Sequence, residues 1–340
     1  MSTATVLRLR DGFGLDHLHL EETDLAMPVG NEVLVQFRAA SLNYRDLMVA
    51  LGQYNPKMEL PRILGSDAAG EVTAVGNSVT TLQVGDRVAS LFFQDWQSGQ
   101  IDQAIGKSAL GGAIDGVFAT ARILPETGLI KIPDYLSFQQ AATLPCAAVT
   151  AWNGLVEKGK LHAGQTVLIL GTGGVSIFAL QLAKAHGATV IVTSSSDEKL
   201  KRARAMGADH TINYRTTPEW DAEVLKLTKK QGVDHVVEVG GSGTLARSLN
   251  AVRYAGHVHL IGVLSEPGKG VDVLSVLRKS IYLNGVYVGS RSMFAGLNAA
   301  LIANRIEPVI DRVVPLAEAR AAFEHLQSGS HFGKVVLALQ

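Results

Sequence analysis

From Thr5 to about Leu124 apolar and polar residues alternate over short runs, as at Glu32–Ala39, Gly70–Val75 and Arg87–Leu91. Turn signals at Gly76-Asn77 and Gly85-Asp86 punctuate the runs, so this part is predicted to form short strands with one face toward a core. Phe93–Gly116, rich in glycine and glutamine, breaks the pattern and is expected to be a long irregular loop facing substrate. From Gly164 the texture changes: apolar runs of strand length alternate with amphipathic stretches. Thr166–Leu170, Thr189–Thr193, His210–Tyr214, Asp234–Val239, Val258–Val263 and Tyr282–Val288 read as six strands. Helices are predicted over Val175–His186, Asp197–Met206 and Pro218–Gln231, each closed by a glycine where a left-handed C-cap belongs. Strands separated by helices in this way predict an α/β fold, a Rossmann doubly wound parallel sheet. The tail offers a helix at Leu316–Gln327 and a strand at Lys334–Leu339, and is expected to rejoin the first domain. The nucleotide domain, residues 126–290, would then be inserted into a discontinuous catalytic domain made of 1–125 and 291–340.

Composition narrows the function classes. Thirty-one basic residues balance thirty-one acidic ones, so net charge favours neither nucleic acid nor an anionic membrane as partner. Met1–Arg10 lacks the apolar core of a signal peptide, and no run is apolar and long enough to span a bilayer. The single cysteine, Cys146, excludes an internal disulfide and any multi-cysteine zinc site, and a cytoplasmic location is expected.

The candidate chemistry starts at Gly171-Thr172-Gly173-Gly174-Val175-Ser176, between a predicted strand and a predicted helix. Glycines let the backbone turn sharply there and approach a pyrophosphate, which the free N–H groups and dipole of the helix N-terminus then bind. The third glycine of the usual fingerprint is replaced by Ser176. About twenty residues further on, where an NAD enzyme places a carboxylate for the ribose 2′-hydroxyl, the chain has Thr193-Ser194-Ser195-Ser196, with Lys199 close behind. Hydroxyls and an ammonium suit a 2′-phosphate, so NADP is the expected cofactor. Asp197 dissents, and is expected to serve as N-cap of the following helix.

Several ordered markers accompany the turn: Asn43-Tyr44-Arg45-Asp46, Gly65-Ser66-Asp67-Ala68-Ala69-Gly70, Val84-Gly85-Asp86-Arg87-Val88, Leu144-Pro145-Cys146 and Thr150-Ala151-Trp152. With them nearly the whole chain resembles the medium-chain dehydrogenase/reductase superfamily, in its zinc-independent, quinone oxidoreductase-like branch. The resemblance implies a GroES-like β-rich catalytic domain and a homodimer or homotetramer joined through the edges of the nucleotide sheets. Zinc alcohol dehydrogenases of that superfamily carry a ligating cysteine near the first marker and Gly-His-Glu at the second. Here Asn43 and Gly65-Ser66-Asp67 stand instead, so no metal is expected. The resemblance further implies that Asn43, Asp46 and Tyr54 line the catalytic pocket and that Thr150 touches the nicotinamide ring or ribose. It places Ser195, Lys199 and Tyr214 around the 2′-phosphate and lets Phe332-Gly333-Lys334 close over the cofactor. Gly171, Gly173, Gly174, Val175, Gly262 and Val263 complete the expected cofactor contacts. Asn43, Asp46, Tyr54, Thr150 and Lys199 each also have a plain structural reading as cap, packing or solvated residues.

Cys146 lies in the Ala-rich run Ala141–Ala148 and reads as a small buried residue, and the ten histidines form no zinc pattern. The expected reaction is hydride transfer from NADPH to a quinone or an α,β-unsaturated carbonyl, with small molecules as the partners. A carbonyl reductase or alcohol dehydrogenase, and a low-turnover NADPH-binding sensor, are the alternative readings. The acceptor's identity would depend on the 93–116 loop and residues around Val286–Arg291.

Overall fold

The computed structural model describes residues 2–264 and 273–339, and they divide into two compact units. Unit 1 comprises residues 1–149 and 288–340, and unit 2 residues 150–287. The strands of unit 1 before the insertion are β1 (Ser2–Leu9), β2 (Leu18–Leu25), β3 (Glu32–Ser41), β4 (Arg62–Ile63) and β5 (Asp67–Val75). They continue with β6 (Arg87–Ser90), β7 (Ala121–Pro125) and β8 (Leu129–Lys131). Helices α1 (Tyr44–Ala50), α2 (Gln103–Gly106) and α3 (Phe138–Ala141) lie among them, and α4 (Val149–Trp152) straddles the boundary.

Unit 2 carries β9 (Thr166–Leu170), α5 (Gly174–Ala185), β10 (Thr189–Ser194), α6 (Asp197–Ala205), β11 (His210–Asn213) and α7 (Trp220–Leu227). It continues with β12 (Val233–Glu238), α8 (Ser242–Ala251), β13 (Val252–Leu260), α9 (Val273–Arg278) and β14 (Tyr282–Gly285). The chain then returns to unit 1 through α10 (Arg291–Asn304), β15 (Ile310–Pro315), α11 (Ala319–Gln327) and β16 (Lys334–Ala338).

Unit 2 is the predicted doubly wound sheet, ordered β11-β10-β9-β12-β13-β14 with every pair parallel. Its strands are nearly continuous apolar runs because helices cover a parallel sheet: Leu168, Ile191, Val236 and Val258 pack with Leu245 and Leu249 of α8. Two bounds moved. β13 begins at Val252, six residues before the predicted strand, and β14 ends at Gly285 rather than Val288.

Unit 1 holds a sheet in the order β15-β16-β3-β5-β6-β8, with β7 also paired to β3, and a smaller sheet β2-β1-β4. Alternation along β3 and β5 points Val33, Val35, Phe37 and Val72 into one core with Phe118 and Phe323. The two phenyl rings meet edge to face at 6.3 Å. Phe323 is fully buried, so its truncation to alanine is expected to cost about 3–5 kcal/mol. Gly65 has φ +83° and an ideal Cβ there would lie 2.0 Å from the Phe118 ring, so the turn before Ser66 and Asp67 requires glycine.

The first domain boundary falls at 149/150 rather than 125/126. The reason is pairing: β8 adds to β6 in the unit 1 sheet, and the Cys146 backbone N–H donates to Asp67 of β5. The second boundary, 287/288, differs from the expected 290/291 by three residues. The 93–116 segment is irregular as expected but packed: Phe93, Trp96 and Leu110 are buried, and it contains the one-turn α2.

Candidate active site

In unit 1 the loop between β3 and α1 brings Asn43 to the N-cap of α1. The Asp46 carboxylate reaches back one turn, and its Oδ2 accepts the Asn43 backbone N–H at 2.8 Å, satisfying a donor that the helix leaves open. Asp46 is wholly buried, with Oδ1 at 3.7 Å from Arg45 Nε. Burial raises its pKa to about 6 against the pull of the Arg45 guanidinium. A carboxylate so enclosed and already engaged acts by position, so its structural reading prevails over the expected direct role.

Four side chains from three segments meet beside that cap. Lys334 Nζ, on β16, donates to Asn43 Oδ1 at 2.6 Å and to the Leu42 carbonyl at 2.6 Å. Asn43 Nδ2 donates to Ser66 Oγ at 3.4 Å, and Ser66 Oγ donates to Asp67 Oδ1 at 2.6 Å. Asp67 Oδ2 accepts the Cys146 N–H at 3.0 Å. Burial pushes the Asp67 carboxyl up, while the Lys334 ammonium pulls it back down. Burial, followed by the Asp67 charge, pushes the Cys146 thiol up, which removes it as a nucleophile. Lys334 is buried, and at least two of its N–H groups serve unit 1. Tyr54 follows α1, is partly exposed, and has the Arg45 guanidinium 5.8 Å from its ring centre.

In unit 2 the glycine turn lies at the carboxyl end of β9. Gly171 has φ +72°, which reverses the chain, and Gly173 is the N-cap of the twelve-residue α5. Ser176, at the third glycine's place, points inward and donates to the Leu170 carbonyl at 2.7 Å, holding the turn to its own strand. Ser195 and Ser196 follow β10, the neighbouring strand, and are part-exposed. The helix cap is Ser196, which accepts the Lys199 N–H at 3.4 Å, and not Asp197. Asp197 is the first residue of α6 and accepts from Asn213 Nδ2 at 2.8 Å. Tyr214 follows β11 and is exposed, with its N–H donating to the Ser194 carbonyl at 3.1 Å. Gly262 and Val263 follow β13, whereas Thr150 is buried in α4. The turn, the serines, Tyr214, Gly262 and Val263 thus share the carboxyl ends of the parallel strands, where such sheets bind ligands.

Sequence reasoning passed over Ser66 and Asp67 as site residues, although it quoted both in a marker. It also read the histidines only for a zinc pattern. His235 and His259 form a buried N···N contact of 3.3 Å on adjacent strands, and His257 stacks on Tyr282. The alternation His257-Val258-His259 was the available signal.

The chain matches the family model for the alcohol dehydrogenase GroES-like domain over residues 30–134 and that for zinc-binding dehydrogenase over 174–304. A zinc-type alcohol dehydrogenase-like protein of Schizosaccharomyces pombe is 44% identical, over 96% of both chains. The crystal structure of a putative alcohol dehydrogenase from Sinorhizobium meliloti 1021 superposes with a TM-score of 0.92 at 41% identity, covering 99% of both chains. Quinone oxidoreductase of Escherichia coli, solved with NADPH, gives 0.83 at 26% identity, over 98% of this chain and 99% of that one. The chain belongs to the medium-chain dehydrogenase/reductase superfamily of oxidoreductases. The zinc in the family description does not fit the residues present. Zinc takes thiolate, imidazole or carboxylate in a tetrahedron; here Asp67 is engaged by the Ser66 hydroxyl and the Cys146 backbone N–H, burial holds the neighbouring Cys146 thiol protonated, and the Asn43 amide oxygen is taken by the Lys334 ammonium. Among the described residues no three of His, Cys, Asp or Glu gather to hold a metal.

Proposed function

We propose that this protein transfers hydride from NADPH to a quinone or an α,β-unsaturated carbonyl without using zinc. The observation that carries the reading is the Lys334–Asn43–Ser66–Asp67 chain of hydrogen bonds at the markers where the zinc relatives place ligands. The bound cofactor would supply the hydride. Hydride added at the conjugated carbon would shift that carbon's π pair into the next bond and the carbonyl π pair onto the acceptor oxygen, and one proton would then complete the reduction. Conjugation spreads this charge, so hydrogen-bond donors can stabilise it where a simple alkoxide would call for a Lewis acid or a strong acid. Asn43 is assigned as that donor, and Tyr54 or water as the proton source.

Unit 2 would hold the phosphates at Gly171–Gly174 and the N-terminus of α5, with Ser195, Lys199 and Tyr214 around the 2′-phosphate. Val175, Gly262, Val263 and Thr150 would flank the rest of the cofactor. The similarity to a quinone oxidoreductase solved with NADPH supports both halves of the reading. The edge strand β14 exposes Tyr282 and Leu283, which supports assembly as a homodimer through this edge. No helix among the described residues is long and apolar enough to cross a membrane. The test is oxidation of NADPH and NADH against a panel of quinones, enones and aldehydes, with and without chelator. Preference for NADPH and for conjugated acceptors, unaffected by chelator, is expected. NADH preference or loss of activity with chelator would overturn the reading.

A further inference from the structure

We propose that Ser330, His325 and Asp311 form a second reactive site, a hydrogen-bonded serine–histidine–aspartate set that takes acyl groups from activated esters. All three lie in unit 1, on the turn after α11, the last turn of α11 and β15, and the site does not depend on the hydride transfer proposed above.

The directions of the hydrogen bonds fix the imidazole. Asp311 Oδ2 lies 2.8 Å from His325 Nε2, and Asp311 Oδ1 accepts the Phe332 backbone N–H at 3.0 Å. Burial pushes the Asp311 carboxyl up, but its bonds from His325 and Phe332 outweigh this and hold it below the ordinary carboxylate range. An ionised carboxylate only accepts, so Nε2 carries the hydrogen and, in the neutral ring, Nδ1 carries the lone pair. Ser330 Oγ stands 3.2 Å from that lone pair and is the donor facing it. A hydroxyl bonded to a base whose far nitrogen is held by a carboxylate is the arrangement that activates a weak oxygen nucleophile.

The local sequence brings the three together. Gly329, at φ +65°, turns the chain left-handed just past α11, and Ser330 comes back to His325 in the helix's last turn. A cation is favoured at that end of a helix, where carbonyls are left open. The imidazolium formed when Ser330 yields its proton is therefore stabilised by the helix as well as by Asp311. Ser328 Oγ, 2.6 Å from Ser330 Oγ and 2.8 Å from the His325 carbonyl, has one hydrogen for either, and can turn it to Ser330 as that oxygen loses its own. The His325 and Asp311 side chains are only 14% and 15% exposed, whereas Ser330 is exposed, so the base and its carboxylate are held while the nucleophile meets solvent.

In the reaction, Ser330 Oγ bonds to the ester carbonyl carbon as its proton passes to His325 Nδ1. The tetrahedral adduct collapses, the bond to the leaving oxygen breaks, and the proton goes to that oxygen. Water, deprotonated by the same Nδ1, then attacks the acyl-serine and releases a carboxylic acid and the free serine. At so exposed a position water meets the oxyanion, which restricts the site to esters with good leaving groups, such as aryl acetates.

The probe is p-nitrophenyl acetate, with p-nitrophenol release read by absorbance and the acetylated peptide found by mass spectrometry. Wild type is compared with Ser330→Ala, His325→Gln and Asp311→Asn, and thermal unfolding checks the fold of each. His325→Gln decides the matter, because a glutamine amide can still donate to Asp311 but offers no basic nitrogen. Acetyl is expected on Ser330 in wild type, about 100-fold or more slowly in His325→Gln. Asp311→Asn, which frees the ring to turn its hydrogen toward Ser330, should slow it about tenfold or more. Acetyl on lysines with Ser330 unmodified, or a folded His325→Gln that acetylates Ser330 as fast as wild type, would overturn the proposal.

Discussion

Each unit buries a carboxylate in a hydrogen-bonded cluster, and the two clusters differ in how far their partners have travelled. In unit 2, Glu238 accepts from the Gly240 and Gly241 N–H groups at 2.8 and 3.0 Å, from Thr244 Oγ1 at 2.6 Å, and from Ser248 Oγ. All four donors lie within ten residues of it, on the turn and helix that follow β12. In unit 1, Asp67 accepts from its neighbour Ser66 and from Cys146, and Ser66 and Asn43 link it to Lys334, whose charge also acts on it. The Glu238 cluster is closed upon itself, as a staple that joins a strand to its helix. The Asp67 chain runs through an amide to an ammonium on a distant strand. Satisfied locally, a buried charge joins a strand to its own helix; satisfied through distant partners, it ties together segments far apart in the chain.

The comparison breaks most easily at its structural end. Glu238→Ala leaves buried donors without an acceptor and is expected to cost on the order of 3 kcal/mol or more, read as a lowered denaturant midpoint. A loss no larger than that of the exposed Glu324→Gln would show that the staple contributes little.

Acid should strain unit 2 through its histidines. The Gln165 Oε1 accepts the His162 backbone N–H, so His235 Nε2, at 3.0 Å from that oxygen, must carry a hydrogen. His235 Nδ1 then accepts from His259 Nε2, and both rings are neutral. Burial, reinforced by His257, lowers His235 to about 4, with Arg253 and His162 adding to the shift and Asp234 opposing it. Burial, with His235, His257 and Lys158 nearby, takes His259 well below its ordinary value. The unfolded chain therefore takes up protons first as pH falls from about 6.5 toward 4, and stability falls through that window, by on the order of 3 kcal/mol for His235. Asp46 works the other way: with its folded pKa raised to about 6, the native state holds the proton and gains stability as pH falls below that value. Urea unfolding of wild type and His235→Gln across pH 4–7 separates the two, a flatter acid slope being expected in the variant. Parallel curves would remove the histidines from the account.

Cofactor choice sharpens the unit 2 side. Lys199→Ala is expected to weaken NADPH binding about tenfold or more and leave NADH nearly unchanged, by fluorescence titration. Equal losses for both would move Lys199 away from the 2′-phosphate. Smallest of all, Tyr54→Phe should lower turnover less than about tenfold, since water can replace a partly exposed donor. Unchanged rates across pH would leave water as the proton source.

The doubly wound sheet was legible because parallel strands buried on both faces read as apolar runs, and glycine marks the ends of helices. The glycine turn and the hydroxyls after β10 were legible for the same reason: they lie beside elements whose order the chain itself spells out. The cap of α6 was misplaced by one residue, since Ser196 and Asp197 are both good caps and only the backbone turn decides between them. The 125/126 boundary failed because strand pairing of residues 129–131 has no local signal.

Sequence alone determined the family, the fold class and the turn expected to meet phosphate, since each depends on residue type at short spacing. Only the tertiary structure decided what Lys334 does. It lies 291 residues from Asn43 along the chain, and its ammonium could have met a phosphate, a carboxylate or water. Pairing of β16 with β3 carries it beneath the cap of α1, where burial leaves it the Leu42 carbonyl and the Asn43 amide oxygen to donate to. A charge far from its partner in sequence acquires a role only when folding removes the water that would otherwise have satisfied it.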